Sequence, residues 1–79
     1  MAIESYNKGL EINPNYAFAW TNKGSALYYL GKYQEAIQCF DKAIELDPNL
    51  AEPWNNKGLS LDALGRHNEA IEYYNKAKD

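Results

Sequence analysis

Residues 31–49 read GKYQEAIQCFDKAIELDPN. Within them Tyr33, Ala36, Ile37, Phe40, Ala43 and Ile44 fall at i, i+3, i+4, i+7, i+10 and i+11, the spacing of one face of a 3.6-residue helix. Gly31 stands just ahead of the run, where a preceding helix would end in a left-handed turn. Asp47-Pro48-Asn49 closes it. Proline biases the residue before it away from helix, so the helix is predicted to stop near Leu46. The stretch is therefore one amphipathic helix held between two turns.

Both flanks repeat the same grammar. Pro14 recurs as Pro48, Trp20 as Trp54, Gly24 as Gly58, Gly31 as Gly65 and Ala36 as Ala70, every pair 34 residues apart. Aligning 17–45 with 51–79 gives 13 identical positions out of 29, where ordinary composition would give about two. The first 16 residues match 35–50 at Ala2, Ile3, Lys8, Glu11, Pro14 and Asn15, and Asn13-Pro14-Asn15 is the same stop one repeat earlier. Ahead of Gly31, Trp20, Gly24, Leu27 and Leu30 fall at i, i+4, i+7 and i+10, a second helical stripe. Only a short break separates the two helices, so they should pair antiparallel.

With these helices named A and B, the chain is predicted to run B (about 1–12), A (about 17–30), B (about 33–46), A (about 51–64), B (about 67–78). Pro53 falls in the first turn of its helix, where its missing N–H does no harm. Small residues at 24, 36, 43, 58, 70 and 77 let neighbouring backbones approach closely. No single pair can bury both faces of its helices, so stacked pairs must share a continuous core. The expectation is an all-α solenoid of antiparallel helix pairs. Residues 1–79 then form a single array: a half repeat over 1–16, a full repeat over 17–50, and a repeat lacking its final loop over 51–79.

These residues resemble the tetratricopeptide repeat, a 34-residue helix–turn–helix unit with the pattern Trp-x2-Leu-Gly-x2-Tyr, Ala-x3-Phe and Pro. The chain carries Trp20-x2-Lys23-Gly24-x2-Leu27, Ala36-x3-Phe40 and Pro48, then Trp54-x2-Lys57-Gly58-x2-Leu61 and Ala70-x3-Tyr74. Departures are Lys23 and Lys57 for an apolar residue, Gly9 for Ala, His67 for an aromatic and Lys78 for an apolar residue. The resemblance implies a right-handed superhelix whose A helices line a concave groove that takes peptides. Carried across position by position, it implies a groove surface of Phe18, Thr21, Asn22, Ser25, Tyr28 and Tyr29 from the first A helix. The second A helix would add Glu52, Asn55, Asn56, Leu59, Asp62 and Ala63. Asn22 and Asn56 would stack as rungs able to donate to and accept from a peptide backbone. Equally, that Asn could satisfy a neighbouring helix. The family's clamp for chaperone tails needs basic and amide positions that Thr21 and Ser25 do not supply, so that ligand is not expected.

Composition narrows the function from the other side. Hydrophobic residues at 46% and aromatics at 14% exclude a disordered tail. Eight Lys and Arg against eleven Asp and Glu give a net charge of -3, unlike the basic face of a nucleic-acid binder. One Cys and one His exclude an internal disulfide and a cysteine-rich zinc site. No apolar run approaches the roughly 18 residues of a membrane helix. The opening MAIESYNKGL has no basic start with an apolar core, so a cytoplasmic location is expected.

Catalysis needs a nucleophile, base or metal in mutual reach, and no such set is legible, so no enzyme activity, metal or cofactor is expected. His67 is expected to be a partly exposed packing histidine at a position the family gives to an aromatic ring, and Cys39 to be a half-buried structural thiol. Glu69 with Glu72, and Asp41 with Glu45, read as solvated helix faces. Lys23 and Lys57 have two readings, stems laid over apolar surface or a basic rail for an acidic ligand. In Tyr28-Tyr29 and Tyr73-Tyr74 one ring of each pair should pack and the other reach a surface.

The chain is thus expected to be a protein–protein interaction module that presents its groove to a peptide or partner protein. The alternative is a structural or engineered piece of a longer array with no ligand of its own. Ile3, Tyr6 and Leu10 should face the first A helix, and Ile71, Tyr74 and Ala77 should pack inward with Tyr73 near the open side. Terminal B helices lacking a full complement of neighbours are expected to drive homo-oligomers.

Overall fold

The computed structural model describes residues 16–78. Four helices follow one another: α1 (Ala17–Tyr29), α2 (Tyr33–Leu46), α3 (Ala51–Ala63) and α4 (His67–Lys78). No strand occurs among the described residues. The predicted first B helix, with Ile3, Tyr6 and Leu10, lies outside them.

The turns between paired helices are written by two glycines. Gly31 has φ +79° and Gly65 φ +82°, a region that other residues enter only at a cost. At the first, Gly31 N–H donates to Tyr28 C=O at 2.9 Å and Lys32 N–H to Leu27 C=O at 2.9 Å. At the second, Gly65 N–H donates to Asp62 C=O at 2.9 Å and Arg66 N–H to Leu61 C=O at 2.8 Å. These are the paired bonds of a Schellman cap, which satisfy carbonyls left over at a helix end. Leu30 and Leu64 are the capping residues, so each A helix ends one residue earlier than its apolar stripe suggests. The link from α2 to α3 is a different turn. Asn49 N–H donates to Asp47 Oδ1 at 3.2 Å, and Trp54 Nε1 reaches back to Pro48 C=O at 2.9 Å.

Each antiparallel pair, α1 with α2 and α3 with α4, packs along its length, and α2 against α3 joins the pairs. Leu27, Ala36, Cys39 and Phe40 form one core cluster, with Trp20 and Tyr28 against it. Ile37, Leu61 and Ala70 form the next, with Leu64, Tyr73 and Tyr74. The glycines inside the A helices set the closeness of each pair. A Cβ on Gly24 would lie 2.5 Å from Phe40 Cε1, and one on Gly58 2.5 Å from Tyr74 Cε1. The 34-residue repeat therefore codes a contact, glycine on A against ring on B, twice over.

Two packing expectations change. Ile71, expected inward, is 55% exposed, whereas its counterpart Ile37 is 9% exposed in the core that also holds Leu61. Tyr73, expected on the open side, instead stacks on Trp54 with ring centroids 5.7 Å apart. For Ile71 the cause is position in the stack: α2 has α3 beside it, and among the described residues α4 has no following helix.

Candidate functional site

On α1, Phe18, Asn22, Ser25 and Tyr29 recur every three or four residues and so share a stripe. Phe18 is 45% and Tyr29 84% exposed, large values for aromatic rings. Beside that stripe lies α3, and the two helices bring Ser25, Tyr28, Tyr29, Asn56 and Leu59 around one cleft of about 30 Å3, with Phe40 also in its wall. Asn56 Nδ2 donates to Ser25 Oγ at 3.3 Å, tying α3 to α1, while Asn22 is exposed. The two asparagines are thus not equivalent: one braces the helices and the other is open to solvent. Tyr28 meets Tyr29 edge-on at 5.5 Å and Tyr33 edge-on at 5.4 Å. Glu52 and Asn55 are exposed near the start of α3 and line a second, more open cavity with Ala51, Tyr74 and Ala77.

Thr21 and Asp62 differ from the surface expected of them. Thr21 is 1% exposed and its hydroxyl donates to Ala17 C=O at 3.0 Å, so it is closed to a ligand. Its counterpart Asn55 is exposed, because α1 has α3 alongside and α3 has no later helix among the described residues. Asp62 is already engaged. Tyr74 donates its hydroxyl to one carboxylate oxygen, and His67 Nδ1 lies 2.7 Å from the other. These bonds, the Tyr74 one first, hold the Asp62 carboxyl below its ordinary pKa. Burial, reinforced by Asp62, pushes the Tyr74 hydroxyl up to about 12. His67 is exposed, as expected in part, but its side chain, 70% exposed, is turned to the Asp62 carboxylate rather than to apolar neighbours.

The lysines settle into different states. Lys57 donates to Asp41 of α2 and lies over the Tyr73 ring, 4.2 Å from its centroid. Burial opposes its charge, but the Asp41 and Tyr73 hydrogen bonds outweigh that and raise its pKa. It is an inter-repeat clamp, not a rung of an open basic rail. Lys23 lies 5.7 Å from the Trp20 ring. Cys39 is buried at 5% exposure, and burial pushes its thiol pKa up, the opposite of an activated nucleophile.

Neither the Asp62–His67–Tyr74 network nor the Lys57 clamp was read from the sequence. The first had a signal. Its three residues replace Tyr28, Tyr33 and Phe40 of the preceding repeat, so an aromatic cluster is exchanged for a polar one at matched positions. Among the described residues no three His, Cys, Asp or Glu side chains group to hold a metal, and no helix is long and apolar enough to cross a membrane.

Stacked antiparallel helix pairs with a 34-residue period, offering surface rather than an enclosed chamber, define a helical-repeat protein. The tetratricopeptide repeat family matches residues 17–50 and, in a shifted register, 39–72. The chain belongs to the tetratricopeptide repeat family, and its repeats are those of a protein–protein interaction module. The structure of MamA MSR-1 C2 superposes with a TM-score of 0.90 at 32% identity, over 98% of this chain and 44% of that one. MamA AMB-1 P212121 gives 0.90 at 34% identity, over 98% and 46%. The uncharacterized protein MJ0572 of Methanocaldococcus jannaschii is 54% identical over 35 residues, which is 44% of this chain and 41% of that protein. The chain thus spans less than half the length of these relatives.

Proposed function

We propose that the α1–α3 surface is a peptide-binding groove and that the chain works by holding an extended segment of a partner protein, without catalysis. The observation that carries this reading is the grouping of Ser25, Tyr28, Tyr29, Asn56 and Leu59 around one cleft, continued by exposed Phe18 and Asn22 along the same stripe. Rings and a leucine supply apolar contact, and the free amide of Asn22 can pair with a peptide main chain. No cation lines the cleft and the chain carries a net charge of -3, so aromatic or basic peptides are favoured over acidic ones. A random-peptide selection against the chain should return such sequences. In calorimetry Asn22→Ala should then weaken binding by about 1–2 kcal/mol with folding little changed. Enrichment of acidic peptides, or unchanged affinity in the Asn22→Ala variant, would overturn the reading.

A second reading is favoured by Ile71. Its 55% exposure, against 9% for Ile37, marks the outer face of α4 as suited to a further A-type helix, from a longer array or a second copy. Sedimentation over a wide concentration range tests the second copy: association that Ile71→Lys abolishes supports it, and a strict monomer at hundreds of micromolar removes it.

A further inference from the structure

The cleft between α1 and α3 carries side chains that the repeat itself does not call for. Ser25, Tyr28 and Tyr29 become Leu59, Asp62 and Ala63 in the next repeat, so no shared packing role preserves them. Tyr29 is 84% exposed, and packing therefore does not account for its ring. Tyr28 stands beside it at 5.5 Å with the two planes 79° apart, so the rings form a corner. From α3, Asn56 and Leu59 close the cleft. Asn56 Nδ2 donates to Ser25 Oγ, which leaves Asn56 Oδ1 as an acceptor with no donor among the described residues. No Lys, Arg, Asp or Glu side chain is in the lining.

We infer that this corner is a subsite for an arginine side chain of the partner segment, with Tyr29 and Asn56 as its specificity-determining residues. The inference rests on the groove reading above and names the residue that the groove selects. The face of an aromatic ring attracts a cation held within about 6 Å, and a free amide oxygen asks for a donor. A guanidinium supplies both: it can stack on the exposed face of Tyr29 and donate an N–H to Asn56 Oδ1. Leu59 would cover its methylene stem. Lysine suits the site less well. Its ammonium is strongly hydrated, and the lining has no carboxylate to replace the lost water. An aromatic side chain also suits it less well, because a cleft of about 30 Å3 takes the edge of a flat group and not a whole ring. The net charge of -3 favours the approach of a cation.

The test is an NMR titration of the 15N-labelled full chain with the hexapeptide Gly-Ser-Arg-Phe-Ser-Gly, capped at both ends. Saturable shifts are expected at the Asn56 side-chain amide and at the backbone amides of Tyr29 and Leu59. Citrulline keeps the shape of arginine and removes its charge, so that replacement should weaken binding about tenfold, and lysine about threefold. Tyr29→Ala, at an exposed position, should keep its melting temperature. It should bind the arginine peptide about tenfold more weakly and the citrulline peptide within about twofold of wild type. Equal binding of the arginine and citrulline peptides, with the shifts still in the cleft, would overturn the arginine subsite and leave the groove reading in place. Shifts gathered away from α1 and α3, or none with any of the peptides, would overturn both.

Discussion

Gly24 and Gly58 face the same kind of ring, yet substitution should affect them unequally. Alanine in mid-helix is ordinarily better than glycine by about 0.5–1 kcal/mol. Here the added methyl would sit 2.5 Å from Phe40 in one case and from Tyr74 in the other. Phe40 is 0% exposed and cannot retreat, whereas the half-buried Tyr74 can swing outward. Gly24→Ala should therefore destabilise by about 1–2 kcal/mol and Gly58→Ala by less than about 1 kcal/mol in urea melts. The reverse order would contradict the packing described. Tyr74 also carries a pH dependence. Its folded pKa, pushed up to about 12, exceeds the unfolded value, so its contribution is complete below about pH 10 and disappears as pH rises from there toward 12. Asp62 is shifted down, so its contribution holds above the ordinary carboxylate range and is lost as pH falls below it. Tyr74→Phe should flatten the alkaline loss of stability and weaken the acid one. Parallel melting curves of variant and wild type across pH would show the network to be idle.

At the level of helices and turns, the two capping glycines test a different mechanism. Nothing lies within 4 Å of a Cβ added to Gly31 or Gly65, so the strain is purely that of a positive φ. Gly31→Ala and Gly65→Ala should each cost about 1–2 kcal/mol in thermal melts. Gln38→Ala, on the exposed face of α2, should stay within about 0.5 kcal/mol of wild type. Comparable losses for all three would show that the turns are not set by glycine. The order and limits of the four described helices were legible in the sequence because period, glycine and proline act locally: α2 and α4 run as expected, and α1 and α3 end one residue early at their caps. What was not legible depends on neighbours. The burial of Thr21 beside exposed Asn55, and of Ile37 beside exposed Ile71, follows from which helices have a companion, and no periodicity records that. Likewise Asp62 has the spacing of a groove residue, but its carboxylate is held by Tyr74 and His67 from α4.

Across the whole molecule, the two repeats are one design with two sets of side chains. The first keeps aromatics along the A–B seam, at Tyr28, Tyr33 and Phe40, and leaves Phe18 and Tyr29 exposed. The second spends the matched positions on Asp62, His67 and Tyr74 and gains the Lys57–Asp41 bond to its neighbour. Recognition should therefore concentrate on the first repeat, with α3 serving as the far wall of the cleft. Mapping a selected peptide onto the labelled chain by NMR tests this most directly. Shifts should gather at Phe18, Asn22, Tyr29 and Leu59, and the double variant Asn22→Ala, Tyr29→Ala should keep its melting temperature while binding at least about tenfold more weakly. Shifts gathered instead on the outer helix faces, at Glu45, Glu72 and Asn75, with full binding by the double variant, would contradict it.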